Sequence, residues 1–329
     1  MNSRSLNIII NGKYAIPAYI SVSLILSFLS YKLSFSPETG ERSGILFSSF
    51  GVFLEKNIPL SFIINVLCTI GCGLLLLYLD KTFSLIRQHT SLPLFFFLLF
   101  SVSNVPQNLH FGNGIVLALL FIACLFLLYV SYQTSDAPKA AFSILFLLTS
   151  CSLFCSSISL YIPLFLLGFY QMRALSLRTV IAFILGIFTP FWIILGSGIA
   201  VYSEMHLMKA FSFSFSLPDI HHNILESSII ILTVLLGLFS GISNLYHIYN
   251  DKIQTRAYNG FINIISVFTS LFLLIDYQHY GDYWPILAAC VSLQASHAFT
   301  NIRNKQASII FYIILTCYLL PYLWNLFRN

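Results

Sequence analysis

The chain has 329 residues, 58% of them hydrophobic and 8% charged, with a net charge of +5 and a mean hydropathy of +0.86. A soluble domain carries about 25% charged residues, so the composition excludes a water-soluble globular enzyme and indicates a multi-pass membrane protein. The Lys and Arg residues form no basic stripe with interleaved aromatics, which excludes nucleic acid and leaves the lipid bilayer as the first partner.

Backbone groups in lipid must be satisfied within the chain, so long apolar runs are read as helices. The first run, 14–35, follows Arg4 and Lys13 and has neither a short apolar core nor a small-residue cleavage site, so it is expected to be retained. The loop after it reads SPETGERSGILFSSFGVFLEKN, residues 36–57. It sets Glu38, Glu41 and Arg42 beside a turn, then an interfacial apolar stretch closed by Glu55 and Lys56. A carboxylate here could serve as a general base and Arg42 or Lys56 could bind a phosphate. An ordinary charged loop accounts for the same residues.

Runs at 59–79 and 91–106 follow, the second ending in SNVPQNLHFGNG, where Pro106 terminates a helix among Asn104, Gln107, Asn108 and His110. The runs 114–133, 141–157 and 159–172 come next, then 179–202 with Thr189-Pro190 inside it. Residues 216–226, SLPDIHHNILE, read as a helix start at Pro218. Asp219, His222 and Glu226 stand there at i, i+3 and i+7 and share a face that could hold a divalent cation. A solvated first turn explains them as well.

The last runs are 227–247, 259–276, 284–300 and 307–326. Between the third- and second-last lies IDYQHYGDYWPIL, with Asp276, His279 and Asp282 around Gly281. Interfacial aromatics are general in membrane proteins, but three ionisable groups among them suggest a substrate contact. The seven cysteines all fall in apolar runs and read as small hydrophobes. No phosphate loop, zinc-protease motif or nucleophile elbow is present.

The expected fold is therefore all-α: a single integral membrane domain over 1–329, a polytopic bundle of about eleven spans. The alternative has nine spans, with 91–106 re-entrant and 141–172 crossing once. With the N-terminus inside and the C-terminus outside, only Lys32, Arg42, Lys56, Lys209 and Arg328 of the sixteen basic residues fall outside. The carboxylates and histidines named above then lie on the extracytoplasmic face.

The order of elements from about residue 91, above all RALSLRTVIAFILGIFTPFWI and HYGDYWPILAACVSLQASHAF, resembles a family of uncharacterised multi-pass inner-membrane proteins of Bacteroidota. More distantly it is similar to the membrane core of GT-C-type glycosyltransferases. The second resemblance implies an inner-membrane transferase acting on a polyprenyl-phosphate-linked sugar, with its catalytic acid in the first outer loop. Glu38 and Glu41 match that place, though two residues separate them where the family has an adjacent pair or a D-x-D. The competing expectation is a non-catalytic subunit or scaffold of an envelope complex. A secondary transporter ranks lower, because no internal repeat is visible.

Overall fold

The computed structural model describes residues 12, 14–33, 57–88, 90–134, 136–153, 155–197, 224–301 and 304–328. These residues form helices, with no β-strand among them. In order they are α1 (Ala15–Leu33), α2 (Ile58–Phe83), α3 (Leu92–Ser103), α4 (Val105–Leu109), α5 (Asn113–Val130) and α6 (Ala137–Ser152). A 3₁₀ turn (Ser156–Tyr161) leads into α7 (Ile162–Gln171), followed by α8 (Leu177–Ser197), α9 (Ile224–Tyr246), α10 (Ile253–Ile275), α11 (Tyr280–Asn301) and α12 (Asn304–Arg328).

Among the described residues every apolar run read from the sequence falls mainly on helix. Among the described residues seven stretches are long and apolar enough to cross a membrane: α1, α2, α5, α8, residues 227–246 of α9, α10, and residues 309–327 of α12. The set suits a membrane-embedded protein. Helix α3, with 12 residues, is only ~18 Å long against a ~30 Å hydrocarbon core. The 141–172 region breaks at Leu153–Cys155, and Pro163 sits in the first turn of α7, where its missing N–H costs nothing. Two short helices therefore occupy this region, as the separate runs 141–157 and 159–172 were read, with the break a few residues earlier. That break also leaves Cys155 outside the helix that carries Cys151. None of the seven cysteines is in a disulfide.

The helices gather into two compact units. The larger holds α1 to α4, α5 as far as Ala118, and α9 to α12. At its centre α3 touches α1, α2, α11 and α12. Its sequence LPLFFFLLFSVS is apolar on every side, and a helix of that kind must be buried all round. Phe95 stacks on Phe311 at 5.0 Å, and Phe96 and Phe100 meet Phe299 and Tyr318 at 5.3 and 4.7 Å. Helix α11 is the second central element, buried at every position from Tyr283 to Phe299 despite carrying Ser292, Gln294, Ser296 and His297.

Hydrogen bonds define the two ends of this unit. At one end Thr255 and Asn259 of α10 donate to the carbonyls of Ser84 and Leu85, just past α2. At the other, Asn65 of α2 donates to the carbonyls of Gln107 and Asn108 at 3.0 and 2.9 Å. Those are terminal carbonyls of the five-residue helix α4, which has no further turn to satisfy them. Asn108 in turn donates to Ser27 of α1, and the backbone N–H of Phe111 donates to Ser61.

The smaller unit holds the rest of α5, then α6 to α8. Its main contact joins α6 to α8. Pro190 lacks an N–H and so leaves the carbonyl of Gly186 without its helical donor. Thr149 Oγ1 of α6 comes within 3.2 Å of Gly186 O, sharing its single proton between that carbonyl and the closer Leu145 O at 2.6 Å. A β-carbon at Gly186 would stand 2.8 Å from both Leu145 Cβ and Phe142 O, so only glycine permits this approach.

Candidate functional site

Of the residues singled out by the sequence, Glu38, Glu41, Arg42, Lys56, Asp219 and His222 lie outside the described residues. Glu226 falls in the first turn of α9, with its side chain also outside them. Among the described residues no group of three His, Cys, Asp or Glu side chains is arranged to hold a metal ion.

Asp276, His279 and Asp282 are described, and two of them meet. Asp276 ends α10, and a short 3₁₀ turn (Tyr277–His279) carries the chain into α11. The turn brings residue i+3 back over residue i, so His279 Nδ1 lies 2.8 and 3.0 Å from the two carboxylate oxygens of Asp276. Tyr283, one turn further on, donates its hydroxyl to Asp276 Oδ2 at 3.1 Å. The Asp276 side chain is 6% exposed and the His279 ring 18%. A carboxylate that accepts from Nδ1–H fixes the neutral ring's tautomer and makes Nε2 the basic nitrogen. Tyr277 stacks on Tyr280 at 5.4 Å and its hydroxyl reaches Ser227 of α9. Asp282 stands in the first turn of α11, where the helix dipole favours a carboxylate.

Near this end a cavity of ≈ 20 Å³ is lined by Asn65, Thr69, Ser101, Gln107, Asn108 and Trp284, among others. That is room for roughly one water molecule and not for a sugar ring. Next to it in sequence, Asn104 occupies the break between α3 and α4. It is fully buried, and neither its amide oxygen nor its nitrogen has a hydrogen-bond partner. A buried unpaired amide costs about 1–3 kcal/mol. Asn104→Leu, close in volume, is accordingly expected to raise the thermal midpoint of the purified protein. A lower midpoint would show that the amide is needed where the helix breaks.

The opposite end of the larger unit holds a network that no spacing in the sequence announces. Arg87 Nε donates to Asp251 Oδ1 at 2.7 Å, with the Asp251 side chain 2% exposed and Arg87 32%. Arg87 also donates to His247 O, and Arg256 donates to the Asp251 carbonyl. Asn244 Nδ2 donates to Gln294 O, which turns Asn244 Oδ1 towards His297 Nδ1 at 3.0 Å. His297 Nε2 lies 3.3 Å from Asp251 Oδ2, out of line for a hydrogen bond. Gln294 Nε2 continues the chain to Asn263 Oδ1 at 2.8 Å. Asp80, also buried, accepts from the backbone N–H of Ile86 and closes the turn that presents Arg87. Polar residues inside apolar runs (Asn244, Asn263, Gln294, His297) were the available signal; their pairing was not.

No protein-family model matches this chain, and neither does any curated protein or solved structure.

Proposed function

We propose that this protein is a multi-pass inner-membrane transferase that moves a sugar from a polyprenyl-phosphate carrier at the extracytoplasmic face. The observation that carries the reading is the Asp276–His279 pair at one end of the larger unit. Sugar transfer needs a base for the acceptor hydroxyl, and an imidazole whose Nδ1–H is held by a carboxylate can take that proton at Nε2. The orientation adopted here is supported by Lys81, Arg87, Lys252 and Arg256, which gather at or near the other end of the same unit, as cytoplasmic basic residues do. Glu38 and Glu41 are proposed as further acid–base groups, Arg42 and Lys56 as phosphate contacts, and Asp282 as a substrate contact. Asp219, His222 and Glu226 are proposed to hold a divalent cation.

The test is the pool of lipid-linked sugars, measured by mass spectrometry in cells that express the wild type or a variant. His279→Gln and Asp276→Asn are each expected to lower turnover about 10²-fold or more, with one polyprenyl-linked precursor accumulating. Glu38→Gln combined with Glu41→Gln should do the same. An unchanged pool in cells lacking the protein altogether would favour the scaffold of an envelope complex. An altered pool with full activity of the His279 and Asp276 variants would keep the transferase and move its base elsewhere.

A further inference from the structure

The smaller unit contains a concave pocket of ≈ 790 Å³ lined by Gln133, Thr134, Arg173, Ser176, Leu177 and Arg178, among others. Its size is that of a ligand site. Among the described residues Arg173 and Arg178 line it and no acidic residue does. Asp136, the nearest acid in sequence, is engaged with Lys139 Nζ at 2.9 Å.

The walls follow from local structure. Helix α7 ends at Gln171, and the chain turns through Arg173, which has a left-handed φ of 54°. Ser176 then caps α8: its hydroxyl accepts from the backbone N–H of Thr179 at 3.2 Å, and its carbonyl accepts from Val180 at 3.0 Å. The N–H groups of Leu177 and Arg178 belong to the first turn, so they have no partner within the helix, and both residues line the pocket. Planar guanidinium groups with convergent N–H donors match the oxygens of a phosphate.

Position supplies the rest. Helix α8 begins at the pocket and α5 ends just before it, at Val130, and both are long and apolar enough to cross a membrane. The pocket therefore lies at the level where such helices leave the hydrocarbon core, which is the level of lipid phosphates. Of the lining residues Leu175 and Leu177 are 43 and 78% exposed, an apolar rim suited to acyl chains. We infer that this pocket binds the phosphate of an anionic phospholipid, with Arg173 and Arg178 as its ligands. The inference is independent of the transferase reading.

The experiment is a thermal-midpoint titration of the purified full chain in neutral detergent. The probes are dihexanoyl phosphatidylglycerol, dihexanoyl phosphatidylcholine and inorganic phosphate. The wild type is expected to be stabilised by the phosphatidylglycerol alone. Arg178→Gln should weaken its apparent affinity about fivefold, the effect of one basic group near a membrane surface. Arg173→Gly should weaken it by a similar factor without lowering the ligand-free midpoint, because glycine adopts a positive φ freely. Lys81→Gln, which removes an exposed charge outside the pocket, should change nothing. Equal shifts with both lipids, or an unaltered response in the combined Arg173→Gly and Arg178→Gln variant, would overturn the site. The same shift with inorganic phosphate would overturn the lipid as its source.

Discussion

Replacing Gly114 by alanine is expected to destabilise the protein by more than about 3 kcal/mol and to cut its yield from membranes sharply. A β-carbon at Gly114 would stand 2.0 Å from the carbonyl oxygen of Gly281 and 3.0 Å from Pro285. The first contact is with backbone, so relief requires one helix start to move away from the other, and overpacking of a rigid contact costs 1–3 kcal/mol or more. Gly281→Ala provides the comparison. Its β-carbon meets Gln107 Nε2 at 2.5 Å, the far end of a side chain that can swing aside. Thermal midpoints in detergent should therefore fall much further for Gly114→Ala than for Gly281→Ala. Equal losses would mean that the starts of α5 and α11 do not approach this closely. The consequence reaches the proposed site, because the α11 start also carries Tyr283, a donor to Asp276.

The second large effect belongs to the buried ion pair. Arg87→Met leaves the Asp251 carboxylate, 2% exposed, without its charged partner, and breaking a buried pair from one side costs about 3–5 kcal/mol. Asp251→Asn should cost less. Arg87 is about a third exposed, so its guanidinium can turn to water along its flexible stem. Arg87→Met combined with Asp251→Leu should recover much of the loss, since two apolar groups leave no uncompensated charge. Unfolding curves of the wild type, Arg87→Met, Asp251→Leu and the double variant, measured together, decide the matter. A double variant as unstable as the sum of the singles would mean that the pair is not coupled. This network ties the turn after α2 to the α9–α10 connection and to α11, so its loss should loosen that whole end of the unit.

How far the chain could be read beforehand depends on the range of the forces involved. Asp276 and His279 were singled out as substrate contacts and not as a pair, although they are three residues apart and a single 3₁₀ turn brings them together. Arg87 and Asp251 are 164 residues apart, and no local pattern links them. Helix α11 shows the same limit from another side. Its Ser292, Gln294, Ser296 and His297 lower its apolar character, yet it is buried from Tyr283 to Phe299, because Ser292 and Ser296 donate to carbonyls of their own helix and Gln294 and His297 pair with Asn263 and Asn244 on other helices. A hydropathy profile sees the polar side chain and cannot see the partner that satisfies it. Helix α3 was expected as a span or a re-entrant piece; its length of 12 residues and its central position come from packing.

Composition and apolar run length by themselves determined that the chain is helical, where its helices fall and that it suits a membrane. These are one-dimensional consequences of keeping backbone hydrogen bonds inside each segment when no water is at hand. The break at Leu153–Cys155, the approach of Gly114 to Gly281 and the partners of Asp251 and His297 were decided only in three dimensions. Each depends on which helices lie side by side, and that choice is made by the fit of surfaces and the pairing of buried polar groups distant in the chain.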